Sequence, residues 1–213
     1  MSEKTTANPV SPGHPSGMRP LVLASTSRYR RMLLERLAIP FVTAAPHVDE
    51  SPLPGEAPRQ TALRLAEVKA RSVAPAHSNS LIIGSDQVAD CGGHLVGKPG
   101  DREHAQAMLE GLSGKTVVFH TGIALLDMPA GRCATALVDV RSKFRRLSSA
   151  EIGAYLDREQ PYDCAGAVKS EGFGIALFEA IESDDPTALI GLPLITLTSM
   201  LRDAGVAVLT ARE

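Results

Sequence analysis

The chain has 213 residues, which at roughly 150 residues per domain leaves room for one large domain or two lobes sharing a cleft and excludes a multidomain machine. Lys and Arg number 22 against 24 Asp and Glu, a net charge of −2, which excludes whole-surface binding of nucleic acid polymers or acidic membranes and makes any anion handling local. Hydrophobic residues reach 44%, enough to bury a core, but aromatics only 4% with no Trp, so a ring in a polar stretch stands out.

Residues 1–18, rich in Pro, Gly, Ser and Thr, lack the apolar run of a secretion signal and read as a flexible tail; residues 19–213 read as a single domain. Leu21 to Ala24 is a buried strand, and Ser27 caps a helix carrying Leu33, Leu34 and Leu37 that Ile39-Pro40 ends. Phe41 to Thr43 is a second strand. Four prolines and three acids make Pro46 to Pro58 a loop. Pro58 opens a helix whose Leu63, Ala66, Ala70 and Val73 share a face, with Arg59, Lys69 and Arg71 on other faces. Leu81 to Gly84 is a strand with Asp86 just past its end, followed by a hairpin turn at Asp90 to Gly93. Asp101 caps a helix from Arg102 to Leu112. Thr116 to Leu126 and Ala134 to Phe144 form antiparallel strands, and Ser148 with Glu151 is a capping box opening a helix to about Arg158. Tyr162 to Phe178 is irregular, then extended from Gly174. Asp185-Pro186 opens a helical turn, and Pro193 starts the last helix. This order predicts a mixed α/β fold with a partly antiparallel sheet.

Cys91, Cys133 and Cys164 form no C-x-x-C pair and lack the histidines of a zinc site, which fits a reduced, cytoplasmic chain. The longest apolar runs fall far short of the ~20 residues that span a bilayer. Ser25 to Arg31 (STSRYRR) lies where a strand hands over to a helix, and unpaired amides, the helix dipole, hydroxyls and arginines there suit a phosphate. Gly111 to Thr116 (GLSGKT) ends like a P-loop, but position 109 is Leu and the order helix, turn, strand is reversed, so it reads as a helix stop. Asp49, Glu50 and Asp86 could meet at one sheet edge and share Mg²⁺ with substrate phosphates. Lys98 could add an ammonium, and the glycines of residues 165–174 (AGAVKSEGFG) allow close backbone approach to a ligand.

Taken together, LASTSRYRRMLLERL, VDES, ALRLAEVKA, LIIGSDQV, GKP, LSGKTVVFHTG, YDCAGAVKSEGFG and IGLPL resemble the Maf family of nucleoside triphosphate pyrophosphatases over Leu21 to about Gly205. The resemblance implies a Maf/Ham1-like (ITPase-like) α/β fold, a mixed sheet with flanking helices and two lobes around a central cleft. It also implies Mg²⁺- or Mn²⁺-dependent cleavage of a nucleoside triphosphate to monophosphate and diphosphate. By the same resemblance Asp86 matches the catalytic carboxylate, Ser25, Arg30, Lys69 and Lys98 surround phosphate, and Glu50 joins Asp86 at the metal. Tyr29, Gln87 and Glu171 fall on the specificity positions, and their combination is similar to the branch acting on 7-methyl-GTP. The sequence departs from that branch in having Arg28 where Pro is usual and Tyr29 where Trp is usual. Family analogy allows a homodimer. A dTTP/UTP activity of the same family and a nucleotide-binding regulator of septum formation with little turnover stand as alternatives.

The base chemistry leans the same way. Guanine presents N1–H and an exocyclic amine as adjacent donors, which one carboxylate at Glu171 can accept, whereas uracil or thymine suits an amide. Methylation at N7 makes the base cationic, and Tyr29 could stack on it for about 1–2 kcal/mol when desolvated.

Overall fold

The computed structural model describes residues 19–210; the tail expected over residues 1–18 lies outside them. Seven strands form one sheet: β1 (Leu21–Ala24), β2 (Phe41–Ala44), β3 (Leu81–Cys91), β4 (His94–Val96), β5 (Thr116–Asp127), β6 (Arg132–Phe144) and β7 (Phe178–Glu182). Their order is β2-β1-β3-β5-β6-β7, with β4 paired to β3. The β1 pairings with β2 and β3 are parallel, and every other pairing is antiparallel. The sheet is therefore mixed, as the alternation of elements predicts.

Five helices cover it: α1 (Arg28–Glu35), α2 (Pro58–Val73), α3 (Arg102–Leu112), α4 (Ser149–Glu159) and α5 (Leu194–Asp203). Side chains alternate between faces along a strand, so β5 sorts its partners by parity. Ala124 packs with Ala66 and Ala70 of α2. On the opposite face Ile123 and Leu125 pack with Leu33 and Leu34 of α1 and Leu197 and Leu201 of α5. Farther along that second face Val117 and Phe119 pack with Leu109 of α3 and with Ile152, Tyr155 and Leu156 of α4. One sheet face thus carries two apolar clusters, one near each end of β5.

The caps follow the sequence. Ser27 accepts from Arg30 N, Asp101 from His104 N, and Ser148 with Glu151 closes the capping box. Gly92 and Gly93 have φ of +64° and +87°, the left-handed backbone that the β3–β4 hairpin requires. Gly114, at φ +71°, stops α3 before β5, which bears out the helix stop in place of a P-loop.

Four local expectations are corrected. The first helix ends at Glu35, before Leu37, because residues 36–38 turn and Ala38 takes φ +51°. The strand at Leu81 continues through Asp86 to Cys91, since pairing with β5 persists from Leu81 to Asp90 after pairing with β1 stops at Ile83. Asp86 is consequently mid-strand. Residues Phe173–Leu177 form a 3-10 helix, and the extended segment begins only at Phe178. In α2 the buried face includes Lys69, whereas Leu63 is only half-buried; a carboxylate on the sheet beneath, Asp86, reverses what apolar periodicity predicts.

Candidate active site

A cleft of about 690 Å³ opens beside the ends of β1 and α1, between β3 and the loops around residues 46–52, 95–98, 163–171 and 189–191. The nine residues that the family resemblance assigns to the site all line it: Ser25, Tyr29, Arg30, Glu50, Lys69, Asp86, Gln87, Lys98 and Glu171. They come from segments up to 146 positions apart (171 − 25).

Its floor is built by helix α2 lying directly on the sheet. A Cβ on Gly84 would stand 2.0 Å from Ala66 O, and one on Gly122 would stand 2.3 Å from Ala62 O. Only glycine lets the helix backbone come that close. The approach delivers the Lys69 ammonium, 4% exposed, to Asp86, 6% exposed, with Nζ donating to Oδ1 at 2.6 Å. The same Nζ meets Glu50 Oε1 at 2.7 Å. A buried lysine needs such partners, because an unpaired charge there would cost several kcal/mol. Glu50 itself stays mostly exposed. Burial raises its carboxyl pKa, but the hydrogen bond and charge of Lys69, with Lys98 and Arg30, more than offset that and leave it below the ordinary glutamate value.

At the N-terminus of α1, Ser25 Oγ accepts from Ser27 N at 3.1 Å. No acidic side chain occupies the helix's first turn, so its positive end carries Arg28 and Arg30 without an internal counter-charge. Arg30 Nε donates to Gly191 O at 2.8 Å. Among the described residues its two terminal nitrogens have no protein acceptor, and they belong to the cleft wall. Burial lowers the Arg30 pKa and the charges of Asp86 and Glu50 raise it.

A buried polar seam lies behind the cleft. Ser85 Oγ donates to Gly122 O and Gly191 O at 2.9 and 3.0 Å, and Thr121 Oγ1 donates to Ala188 O at 2.9 Å. Gln87 spends its amide nitrogen on Ala188 O, Leu189 O and Thr121 Oγ1, at 2.8 to 3.1 Å. The turn at residues 188–191 is therefore sewn to β3 and β5. Asp185, 1% exposed, anchors its base by accepting from Ile195 N and Thr196 N at the start of α5.

Tyr29, Asp163, Cys164, Ala165, Val168 and the exposed Glu171 line the same cleft. Burial raises the Tyr29 phenol, against a hydrogen bond from Arg28 that lowers it. The Cys164 thiol is pushed up to about 12, chiefly by burial and then by Asp163, so it is a neutral wall residue and not a thiolate nucleophile.

Asp49 is the sequence candidate left out of the wall. It accepts from Ser51 N and shapes the loop around Glu50. The residues that spacing missed are Ser85, Asp163 and Gly191. Each sits inside a family-like run, but only the fold shows that Asp163 and Gly191 line this cleft and that the buried Ser85 holds the Gly191 carbonyl from behind.

Among the described residues no group of three or more His, Cys, Asp or Glu could hold a metal. A cleft lined by lysines, arginines and carboxylates together with a tyrosine ring, over an α/β sheet, suits small phosphorylated ligands. The match to known proteins narrows this. The Maf-like protein family profile covers residues 20–204, and the chain belongs to that family.

Three relatives, each described as a 7-methyl-GTP pyrophosphatase, are 56% identical to it. That of Polaromonas sp. aligns over 91% of this chain and 89% of its own. That of Ralstonia nicotianae covers 86% and 95%, and that of Thiobacillus denitrificans 89% and 94%. A solved structure, that of the Staphylococcus aureus Ham1 protein, aligns at TM-score 0.44 and 13% identity over 60% of this chain and 73% of that one.

Proposed function

We propose that this chain is a nucleoside triphosphate pyrophosphatase that hydrolyses 7-methyl-GTP to 7-methyl-GMP and diphosphate. One observation carries the reading. The Glu50–Lys69–Asp86 cluster and the Tyr29–Glu171 wall lie in the same cleft, so a nucleotide can place its phosphates on the first and its base on the second. The relatives' description as 7-methyl-GTP pyrophosphatases supports the choice of base.

Arg30, Lys98 and Lys69 face the triphosphate and offset the charge that builds on the leaving diphosphate. Asp86 has Oδ1 occupied by Lys69 and, among the described residues, Oδ2 without a protein partner. Oδ2 accepts the proton of a water whose oxygen attacks the α-phosphorus. The bond from that phosphorus to the bridging oxygen breaks, and its electron pair leaves with diphosphate. Tyr29 stacks on the base, and Glu171 accepts from its N1–H and exocyclic amine.

A divalent ion, Mg²⁺ or Mn²⁺, fits as a shared ligand. Two carboxylates within hydrogen-bond reach of one Lys69 nitrogen match the one or two that such ions take, and substrate phosphates complete the set. Bound between Glu50, Asp86 and those phosphates, it would supply further charge neutralisation. The same reading makes the chain a cytoplasmic single-domain enzyme of residues 19–213 acting on small nucleotides, with a homodimer allowed by family analogy. Its cysteines are free, and no described helix is long and apolar enough to cross a membrane.

Turnover of 7-methyl-GTP, GTP, dTTP and UTP in parallel, with Mg²⁺ or Mn²⁺ and after chelation, tests it. The expected outcome is preferential, metal-dependent diphosphate release from 7-methyl-GTP, with Asp86→Asn slowing it by at least about 100-fold while keeping its circular dichroism spectrum. Faster cleavage of dTTP or UTP would move the chain to the pyrimidine branch, and binding without diphosphate release would make it a regulator.

A further inference from the structure

Arg28 stands at the mouth of the cleft as the first residue of α1, exposed to solvent. Its Nη2 donates to the Tyr29 hydroxyl at 2.6 Å, and its Cζ lies 4.7 Å from the centre of the Tyr29 ring. Consecutive residues on a helix do not ordinarily face each other. Here the long guanidinium arm folds back over its neighbour, and the hydroxyl holds it there. The location explains why it folds back. A cation in the first turn of a helix opposes the dipole, and this first turn contains no acidic residue. The ring, its hydroxyl and the nearby charge of Asp163 are what the guanidinium finds instead.

We propose that Arg28 is a specificity-determining residue that competes with a cationic base for Tyr29 and so narrows the preference for the N7-methylated nucleotide over its unmethylated form. This rests on the reading of 7-methyl-GTP as substrate and deepens it. The ring attracts cations through a single quadrupole. A base stacking on the occupied face must displace the guanidinium, a cost that both forms of the base pay, and the displaced positive charge stays beside the site and opposes the cationic form alone. A base on the opposite face meets a ring whose electron density is already drawn towards Arg28. Either way the positive charge of 7-methylguanine gains less from Tyr29 than it would alone. Neutral guanine has no such charge to lose, and its stacking is not penalised in the same way.

The test reads binding, not turnover. Calorimetric titration of the full chain with 7-methyl-GMP and with GMP gives the ratio of their dissociation constants in the wild type, Arg28→Ala, Tyr29→Leu and the double variant. The preference for 7-methyl-GMP is expected to rise about three-fold in Arg28→Ala, and adding Arg28→Ala to Tyr29→Leu should leave it unchanged. An unchanged or reduced preference in Arg28→Ala overturns the proposal, as does an equal rise in the Tyr29→Leu background or the absence of binding by either nucleotide. Because no cleavage is needed, a wild type that binds as expected but does not hydrolyse 7-methyl-GTP would refute the proposed function and leave this inference standing. A wild type that cleaves 7-methyl-GTP with an indifferent Arg28 would do the reverse.

Discussion

The carbonyl oxygen of Gly191 accepts from Arg30 Nε at 2.8 Å and from Ser85 Oγ at 3.0 Å. Gly191 holds it in place with φ +117°, a conformation that a side chain resists. In the proposed enzyme this contact aims the free end of Arg30 at phosphate. Gly191→Ala is therefore expected to raise KM for 7-methyl-GTP by about five-fold through a weakened charge-assisted hydrogen bond, with a smaller change in kcat; steady-state kinetics checks it. Residues of this kind were the least legible in the sequence. Ser25, Arg30 and Asp86 stand out as polar types at a helix start or just past a strand, whereas nothing local marks Gly191 or Ser85. Their partners lie 161 and 106 positions away respectively.

Helix α2 is the element that assembles the floor. Its start at Pro58 and its small residues follow from the sequence, but its rotation does not, because the buried face includes a lysine. Its depth is set by Gly84 and Gly122, whose missing side chains leave room for the backbone of Ala66 and Ala62. Gly84→Ala must push the helix outward, so a loss of about 1–3 kcal/mol in stability is expected, together with a larger fractional loss of activity as Lys69 leaves Asp86. Urea unfolding and turnover of the same preparation test both parts.

The loop that carries Glu50 is tied to α2 as well. Arg64 donates through Nε and Nη2 to both Glu56 oxygens, and Leu53 N and Thr61 Oγ1 donate to Oε2. The hydrogen bond from Arg64 is the largest cause holding the Glu56 carboxyl at about 2, below its usual 4.5. A carboxylate whose folded pKa is depressed contributes stability that is complete above the unfolded value and is lost as pH falls from there through the folded one. The melting temperature should therefore fall between about pH 5 and pH 2, and Glu56→Gln should flatten that part of its pH dependence. An identical slope in the variant would remove Glu56 from the effect.

At the scale of the whole molecule, the two apolar clusters on one sheet face meet only across the polar seam of Ser85, Gln87 and Thr121, and the cleft draws its walls from both sides of that seam. Tyr29 and Arg30 belong to the helix of one cluster, and Lys98 and Glu171 to loops beside the other. A ligand touching both adds to the stability of their association. At a 7-methyl-GTP concentration 100 times its Kd, binding contributes about 2.7 kcal/mol, which corresponds to a rise of roughly 5 to 10 °C in the melting temperature of a chain this size. Asp86→Asn, used to suppress cleavage during a thermal scan, should show that rise with 7-methyl-GTP and a smaller one with UTP.

The sequence by itself determined the elements, most of their caps, the mixed sheet and the family, because capping, turn chemistry and strand alternation are local and the family-like runs lie in a recognisable order. It also placed nine polar residues at one site by resemblance. The tertiary structure alone decided that Asp86 lies inside a strand, that Lys69 faces the sheet, that Gly191 holds Arg30 and that Arg28 covers Tyr29. Those facts depend on which faces meet and how closely. Closeness is set by side chains that are absent, at Gly84 and Gly122, and by charges paired across long stretches of chain, neither of which leaves a periodic trace in the residues themselves.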